Sequence, residues 1–179
     1  GLILGILLAM AAIGLSLIYG TTALNNFAHG EMVTMGALLA FTLNKLMGID
    51  LLVSAVLTML IVSAFGWLQD AAIWRPLRKR RVGLTQMMIV SIGLSLVIRY
   101  VFQIIYGGDT KVLSQGEIWN IAGVPTQAVN VISAGVGIVI LLLVAAFLTK
   151  TRIGKATRAV ADNASLAAAT GIDVERIIR

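Results

Sequence analysis

Apolar residues come in five long runs separated by short polar stretches. Residues 2–19 carry no charge and are just long enough for a helix to cross a hydrocarbon layer. Residues 32–47 form a second, shorter span, after which Gly48 and Asp50 mark a turn. A third span covers 51–74 and ends in Arg75-Pro76-Leu77-Arg78-Lys79-Arg80-Arg81. Pro76 disfavours helical geometry at Arg75, so the helix is expected to stop there. Residues 84–106 form the fourth span, interrupted by Arg99, and residues 131–149 the fifth. The intervening 107–130, with four glycines, Asp109, Ser114, two asparagines, Pro125 and Lys111 as its one basic residue, reads as a polar loop.

Small residues fall four apart on the helices. Gly1, Gly5 and Ala9 make one row, Ala12, Ser16 and Gly20 a second, and Gly36 with Ala40 a third. Such rows let helix backbones approach closely in lipid. Residues 150–179 are too polar to cross. Lys155, Arg158, Asp162 and Ser165 share one helical face there, and Ala156, Ala159, Val160, Asn163 and Ala167 share the other. Gly171 reads as a helix stop, Asp173 as the N-cap of a further helix, and Glu175 as its first-turn acid. Two readings stand for this helix–Gly–helix unit, a docking surface for a partner and a passive connector.

Composition turns these runs into a class. The 179 residues are 59% hydrophobic and only 12% charged, whereas soluble domains carry about 25% charged residues. An all-α, polytopic transmembrane bundle follows, with residues 1–179 read as a single domain. The net charge of +6 sits at the edges of the apolar runs. That is the pattern of orienting loops, not of a nucleic-acid-binding face. Five basic residues within 75–81 place that loop in the cytoplasm, parity places 107–130 outside, and the basic cluster from Lys150 to Arg158 places 150–179 inside. With no cysteine, disulfides and Cys-based metal sites are excluded. Gly1 is not an initiator and Arg179 follows a polar stretch where another span could begin, so both termini are expected to be trimmed.

The chemistry concentrates in Asn25-Asn26-Phe27-Ala28-His29-Gly30-Glu31. It contains the sole histidine and lies between two uncharged runs, where polar groups are costly unless protein or water surrounds them. A broken helix could carry it toward the membrane midplane. His29 and Glu31 either line a route for a zwitterionic substrate, with the backbone near Gly30 opened, or brace the break between two helices. Arg99, a charge inside a span, is either a functional group or, as favoured here, a side chain that snorkels to the outer interface beside Tyr100. Asp70 is read as a local partner of Arg75 or Arg78 or as a helix-end group, ahead of a proton relay. Trp67, Trp74 and Trp119 are expected as interface anchors. Ile13-Gly14-Leu15-Ser16-Leu17 recurs as Ile92-Gly93-Leu94-Ser95-Leu96, which an inverted repeat or chance would equally produce. One histidine and no paired inward carboxylates leave little for an enzyme to use, and neither catalytic residues nor a metal site are assigned.

Asn26-Phe27-Ala28-His29-Gly30-Glu31 followed by Met35-Gly36-Ala37 resembles the signature of the permease subunits of branched-chain amino-acid ABC transporters, the LivH-type group. Gly14-Leu15-Ser16-Leu17-Ile18-Tyr19-Gly20, Trp74-Arg75-Pro76-Leu77-Arg78 and the stretch from Gly154 to Asn163 resemble further segments of that family in the same order. Asp70-Ala71 and Trp74 depart from its usual Glu-Arg and Tyr. Family members continue for further spans, so this chain resembles their front part. The resemblance implies an ATP-driven importer of branched-chain or similar amino acids in the bacterial inner membrane. It implies a substrate pathway or helix break at Asn26, Phe27, His29, Gly30 and Glu31. It also implies ATPase coupling through Gly154, Arg158, Ala159, Asp162, Gly171 and Asp173. The implied partners are a second related permease, two cytoplasmic ATPases that hold the ATP-Mg, a periplasmic binding protein and the lipid bilayer. No Gly-Lys-Ser/Thr phosphate loop occurs, so this chain is expected to bind no cofactor itself. Alternatives are a urea or short-amide permease of the same family and, from another class, an ion-gradient-driven carrier or channel.

Overall fold

The computed structural model describes residues 1–112, 117–121 and 123–178. Among the described residues it is an all-α membrane bundle with one small hairpin. The helices are α1 (Leu2–Thr22), α2 (His29–Phe41), α3 (Leu51–Gln69), α4 (Arg75–Lys79), α5 (Leu84–Tyr106), α6 (Ala128–Lys150), α7 (Arg152–Asp162), α8 (Ala164–Ala169) and α9 (Val174–Ile178). Four helical stretches among the described residues are long and apolar enough to cross a membrane: Leu2–Thr22, Leu51–Lys79, Leu84–Tyr106 and Ala128–Lys150. Many of their leucines, isoleucines and valines are uncovered, as expected of helices that meet lipid or further membrane-embedded surfaces. Two compact units form, Leu24–Leu113 on one hand and Gly1–Ala23 with Ser114–Arg179 on the other.

In the Leu24–Leu113 unit, α2 packs between α3 and α5. A methyl at Gly36 would lie 3.9 Å from Thr58 Cγ2, so this small residue of the expected row does bring α2 onto α3. The 13-residue α2 widens into a π-helical segment, Thr42–Leu46, which extends the second run close to its expected end. Asp50 caps α3 by accepting from the N–H groups of Leu52 and Val53.

The third helix does not stop at Arg75. Asp70–Trp74 forms a π-helical turn, Arg75 keeps right-handed helical angles, and the chain runs on through Lys79. The N–H of Arg75 reaches back five residues to the carbonyl of Asp70. The widened turn accommodates Pro76, which has no N–H to place and whose ring would crowd a regular α-turn. The same turn directs Trp74 inward. It is 6% exposed and packs with Leu24 and Met87, so it is a core residue and not an interface anchor. Asp70 pairs with Arg78 at 2.9 Å, the local ion pair expected of it.

In the other unit, α1 packs along α6. The close approach is made at Gly137, where an added methyl would sit 2.8 Å from Met10 Sδ and 3.0 Å from Ile6 Cγ2. Gly1 and Gly5 have nothing within 4 Å of such a methyl, so their row does not serve as a contact here, whereas Gly20 approaches Ala161 at 3.5 Å. The stretch 107–130 is not wholly a loop. Ile118–Ile121 (β1) pairs antiparallel with Val124–Gln127 (β2), Gly123 supplies a positive φ of 82°, and α6 starts at Ala128, earlier than its apolar run. Residues 113–116 and 122 of that stretch, and Arg179 of the polar tail, lie outside the described residues.

Candidate functional site

The polar stretch after α1 is a genuine break. Ala23 ends α1 with φ 55°, and helix resumes only at His29. In lipid, a backbone leaving its helix must find partners within the protein. Here Ser91 of α5, fully buried, supplies them. Its Oγ accepts from the N–H of Phe27 at 3.2 Å and donates to the carbonyl of Met88 at 2.7 Å, with the Asn25 carbonyl at 3.4 Å. Asn26 is buried and its Oδ1 accepts from the N–H of Ala28 at 3.1 Å, while its carbonyl accepts from the N–H of His29 at 3.1 Å. Phe27 is half uncovered. Gly30 sits in the first turn of α2 with nothing within 4 Å of an added methyl, so neither crowding nor an unusual φ requires glycine there.

Glu31 is 7% exposed, and its Oε1 accepts from Arg99 Nε at 3.0 Å and Nη2 at 2.7 Å. The register of α2 on α5 fixes the depth of this pair. A constant separation of 64 residues joins Phe27 to Ser91 and Thr42 to Tyr106, whose hydroxyls lie 2.7 Å apart. At that register Glu31 is level with Ser95, the middle residue of the 23-residue α5. Arg99 lies one turn further along. Its side chain therefore reaches back toward the helix middle, in the direction long helical side chains favour. Snorkelling would take it the opposite way, toward Tyr106. Arg99 is thus corrected from an interface residue to the buried carboxylate's counter-ion.

Substituting Ser91→Ala should remove the brace while leaving the packing unchanged. The Phe27 N–H would lose its acceptor inside the protein, at a cost of about 1–2 kcal/mol. A lowered midpoint of thermal unfolding in detergent, without loss of helix content before unfolding, is the expected signature.

The second candidate region is the polar tail. Thr151 turns the chain between α6 and α7: its Oγ1 donates to the Phe147 carbonyl at 2.7 Å and accepts from the N–H of Gly154 at 2.9 Å. Gly154 is buried against the end of α6, where a methyl would meet the Phe147 carbonyl and lie 2.6 Å from Leu148 Cα. Val160 fixes α7's apolar face, and α7 packs on α1, α6 and α9. Lys155, Arg158, Ala159, Ala161 and Asp162 line an open cleft of about 480 Å³. The shared face does not continue through Asn163. That residue is extended, ends α7 and caps α8, its Oδ1 accepting from Leu166 N–H at 3.0 Å and Ser165 Oγ at 2.7 Å. An asparagine oxygen two and three residues ahead of those donors holds a turn better than a helix interior. Gly171 stops α8 with φ 91°, and Asp173 Oδ1 accepts from Arg176 N–H at 3.2 Å, both as expected.

Sequence reasoning missed Ser91, Thr151 and the role of Arg99. The first two are unremarkable hydroxyls in sequence. Arg99, a charge inside a span, did carry a signal. Among the described residues no group of three or more His, Asp or Glu side chains could hold a metal ion.

Four helices of membrane-crossing length, with an ion pair at mid-helix and a polar helical tail, define a multi-pass membrane protein. Residues 1–178 match the family of the branched-chain amino acid transport system permease component. The chain is 31% identical to the high-affinity branched-chain amino acid transport system permease protein LivH of Salmonella typhimurium over 196 residues, covering 99% of this chain and 62% of that protein. It is 28% identical to the corresponding protein BraD of Pseudomonas aeruginosa over 99% of this chain and 62% of that protein. It is 33% identical to a probable branched-chain amino acid transport permease protein LivH of Methanocaldococcus jannaschii, over 95% of this chain and 56% of that protein. No solved structure matches the chain significantly. The chain belongs to the branched-chain amino acid permease family, and it spans less than two thirds of the length of these relatives.

Proposed function

We propose that this chain forms part of the membrane pathway of an ATP-driven importer of branched-chain or similar amino acids in the bacterial inner membrane. The observation that carries the reading is the family match over residues 1–178. Chain physics supports it. The run from Leu24 to Thr42 keeps pace with α5 from Met88 to Tyr106, and the π-helical segment carries it on to Leu46, so it serves as a fifth crossing although its α-helical part is short. Its first third is the braced break, and Asn26, Phe27, His29, Gly30 and Glu31 border the substrate route there.

The tail faces the cytoplasm, where α7 offers Arg158, Ala159 and Asp162 around an open cleft while Gly154, Gly171 and Asp173 set its joints. It docks one of two ATPase subunits, which carry the ATP-Mg and perform the hydrolysis. A second permease and a periplasmic binding protein complete the assembly. Uptake by vesicles carrying the full-length protein with its neighbouring subunits tests this reading. Leucine should enter only with ATP inside. Uptake of urea in place of leucine would move the substrate class, and uptake without ATP would contradict the motor.

A further inference from the structure

From the geometry of the mid-helix ion pair we infer that Arg99 and Glu31 form a two-point site for a zwitterion, Arg99 taking the carboxylate and Glu31 the ammonium. The inference rests on the permease reading and adds to it a specificity-determining residue. The two partners are unequally covered: Glu31 is 7% exposed, whereas Arg99 is 64% exposed. The guanidinium donates from Nε and Nη2 to the single oxygen Glu31 Oε1. A planar fork with five donors has capacity beyond that. Its register places it near the middle of α5, away from either interface. A charged fork uncovered at that depth faces a route or another polar group, because hydrocarbon solvates it poorly.

The chemistry of the occupant follows from charge balance. The resting pair is neutral, and so is an amino acid in its zwitterionic form. When substrate carboxylate replaces Glu31 at the guanidinium and substrate ammonium engages Glu31, each charge keeps a counter-charge and the site gains no net charge. A mono-charged solute would leave one charge of the pair without its counter-charge near mid-span, most severely when that charge is the buried Glu31 carboxylate. Urea carries neither charge and has no means of opening the pair. Ile92 and Leu96 precede Arg99 on the same face of α5 and are substantially uncovered, giving an aliphatic side chain an apolar surface beside the anchor.

The test uses the full-length permease assembled with its partner subunits in proteoliposomes. Wild type, Arg99→Lys and the charge-neutral double variant Glu31→Gln with Arg99→Gln are compared for leucine uptake and for co-purification of the partners. The double variant removes both charges together, so neither is left buried alone. It should co-purify normally and lose leucine uptake roughly tenfold or more, with Arg99→Lys intermediate, because a point charge replaces a fork. In wild type, excess leucinamide, which lacks the carboxylate, should compete far less well than excess leucine. Wild-type uptake rates in the double variant would overturn the two-point site. Loss of partner co-purification in the double variant would also overturn it, assigning the uncovered fork to a subunit contact instead. Failure of wild type itself to take up leucine would count against the permease reading and is read separately.

Discussion

Adding one methyl group at position 154 is expected to break the joint between α6 and α7. Gly154 is the third residue of α7, and its Cα lies against the last turns of α6. A Cβ there would collide with the Phe147 carbonyl and sit 2.6 Å from Leu148 Cα and 2.8 Å from Phe147 C. These are backbone atoms, so no rotamer change relieves the clash. The helices must separate, and Thr151 then loses the two hydrogen bonds that clamp the corner. Overpacking against flexible side chains costs about 1–3 kcal/mol. With rigid neighbours, Gly154→Ala should reach the upper end, about 3 kcal/mol, and lower the unfolding midpoint by about 10 °C. Gly135→Ala is the control. It sits in the interior of α6 with nothing within 4 Å, and should be neutral or slightly stabilising. If the tail docks an ATPase as proposed, Gly154→Ala should also impair co-purification of that subunit.

Removing only one member of the mid-helix pair is expected to do more damage than removing both. Arg99→Gln leaves the Glu31 carboxylate buried at the centre of a span without its counter-ion, and breaking one side of a buried pair costs about 3 kcal/mol. Glu31→Gln leaves a more exposed guanidinium and should cost less. The double variant should recover much of the loss, since two amides of similar size can hydrogen-bond without either charge. A double-mutant cycle on unfolding midpoints measures this coupling directly. Additive single effects would show that the two side chains do not depend on each other.

The spans were legible in the sequence because lipid imposes a length and a charge penalty that few other forces can override. Four of the five runs stand as helices of crossing length, with ends within a few residues of the polarity changes. What stayed hidden were features set by neighbours along or across the chain. Pro76 reads as a breaker until the π-turn at Asp70–Trp74 supplies the room its ring needs. The contact glycine of α1 and α6 is Gly137, not Gly1 or Gly5, because only packing decides which of several small residues faces a partner. The polar break was identified by its residue types, yet the groups that satisfy it, Ser91 and Arg99, lie more than sixty residues away in sequence. A pairing of that range leaves no local pattern to read. The caps of the tail, by contrast, were readable at Gly171 and Asp173, since a positive φ and an N-cap are local chemistry.

The proposed ATP-driven motor requires the tail to face the cytoplasm, on the opposite side of the membrane from the loop before the hairpin. Residues 1–179 hold no cysteine, so single thiols placed there report cleanly once every cysteine elsewhere in the full-length protein is replaced by serine. Asp109→Cys and Arg158→Cys, each in the full-length protein, would be exposed to a membrane-impermeant maleimide in intact spheroplasts and then in opened membranes. Labelling of position 109 in intact spheroplasts, with position 158 labelled only after opening, is the expected result. Labelling of position 158 from outside in intact spheroplasts would contradict the inward-facing tail and the ATP-driven importer with it.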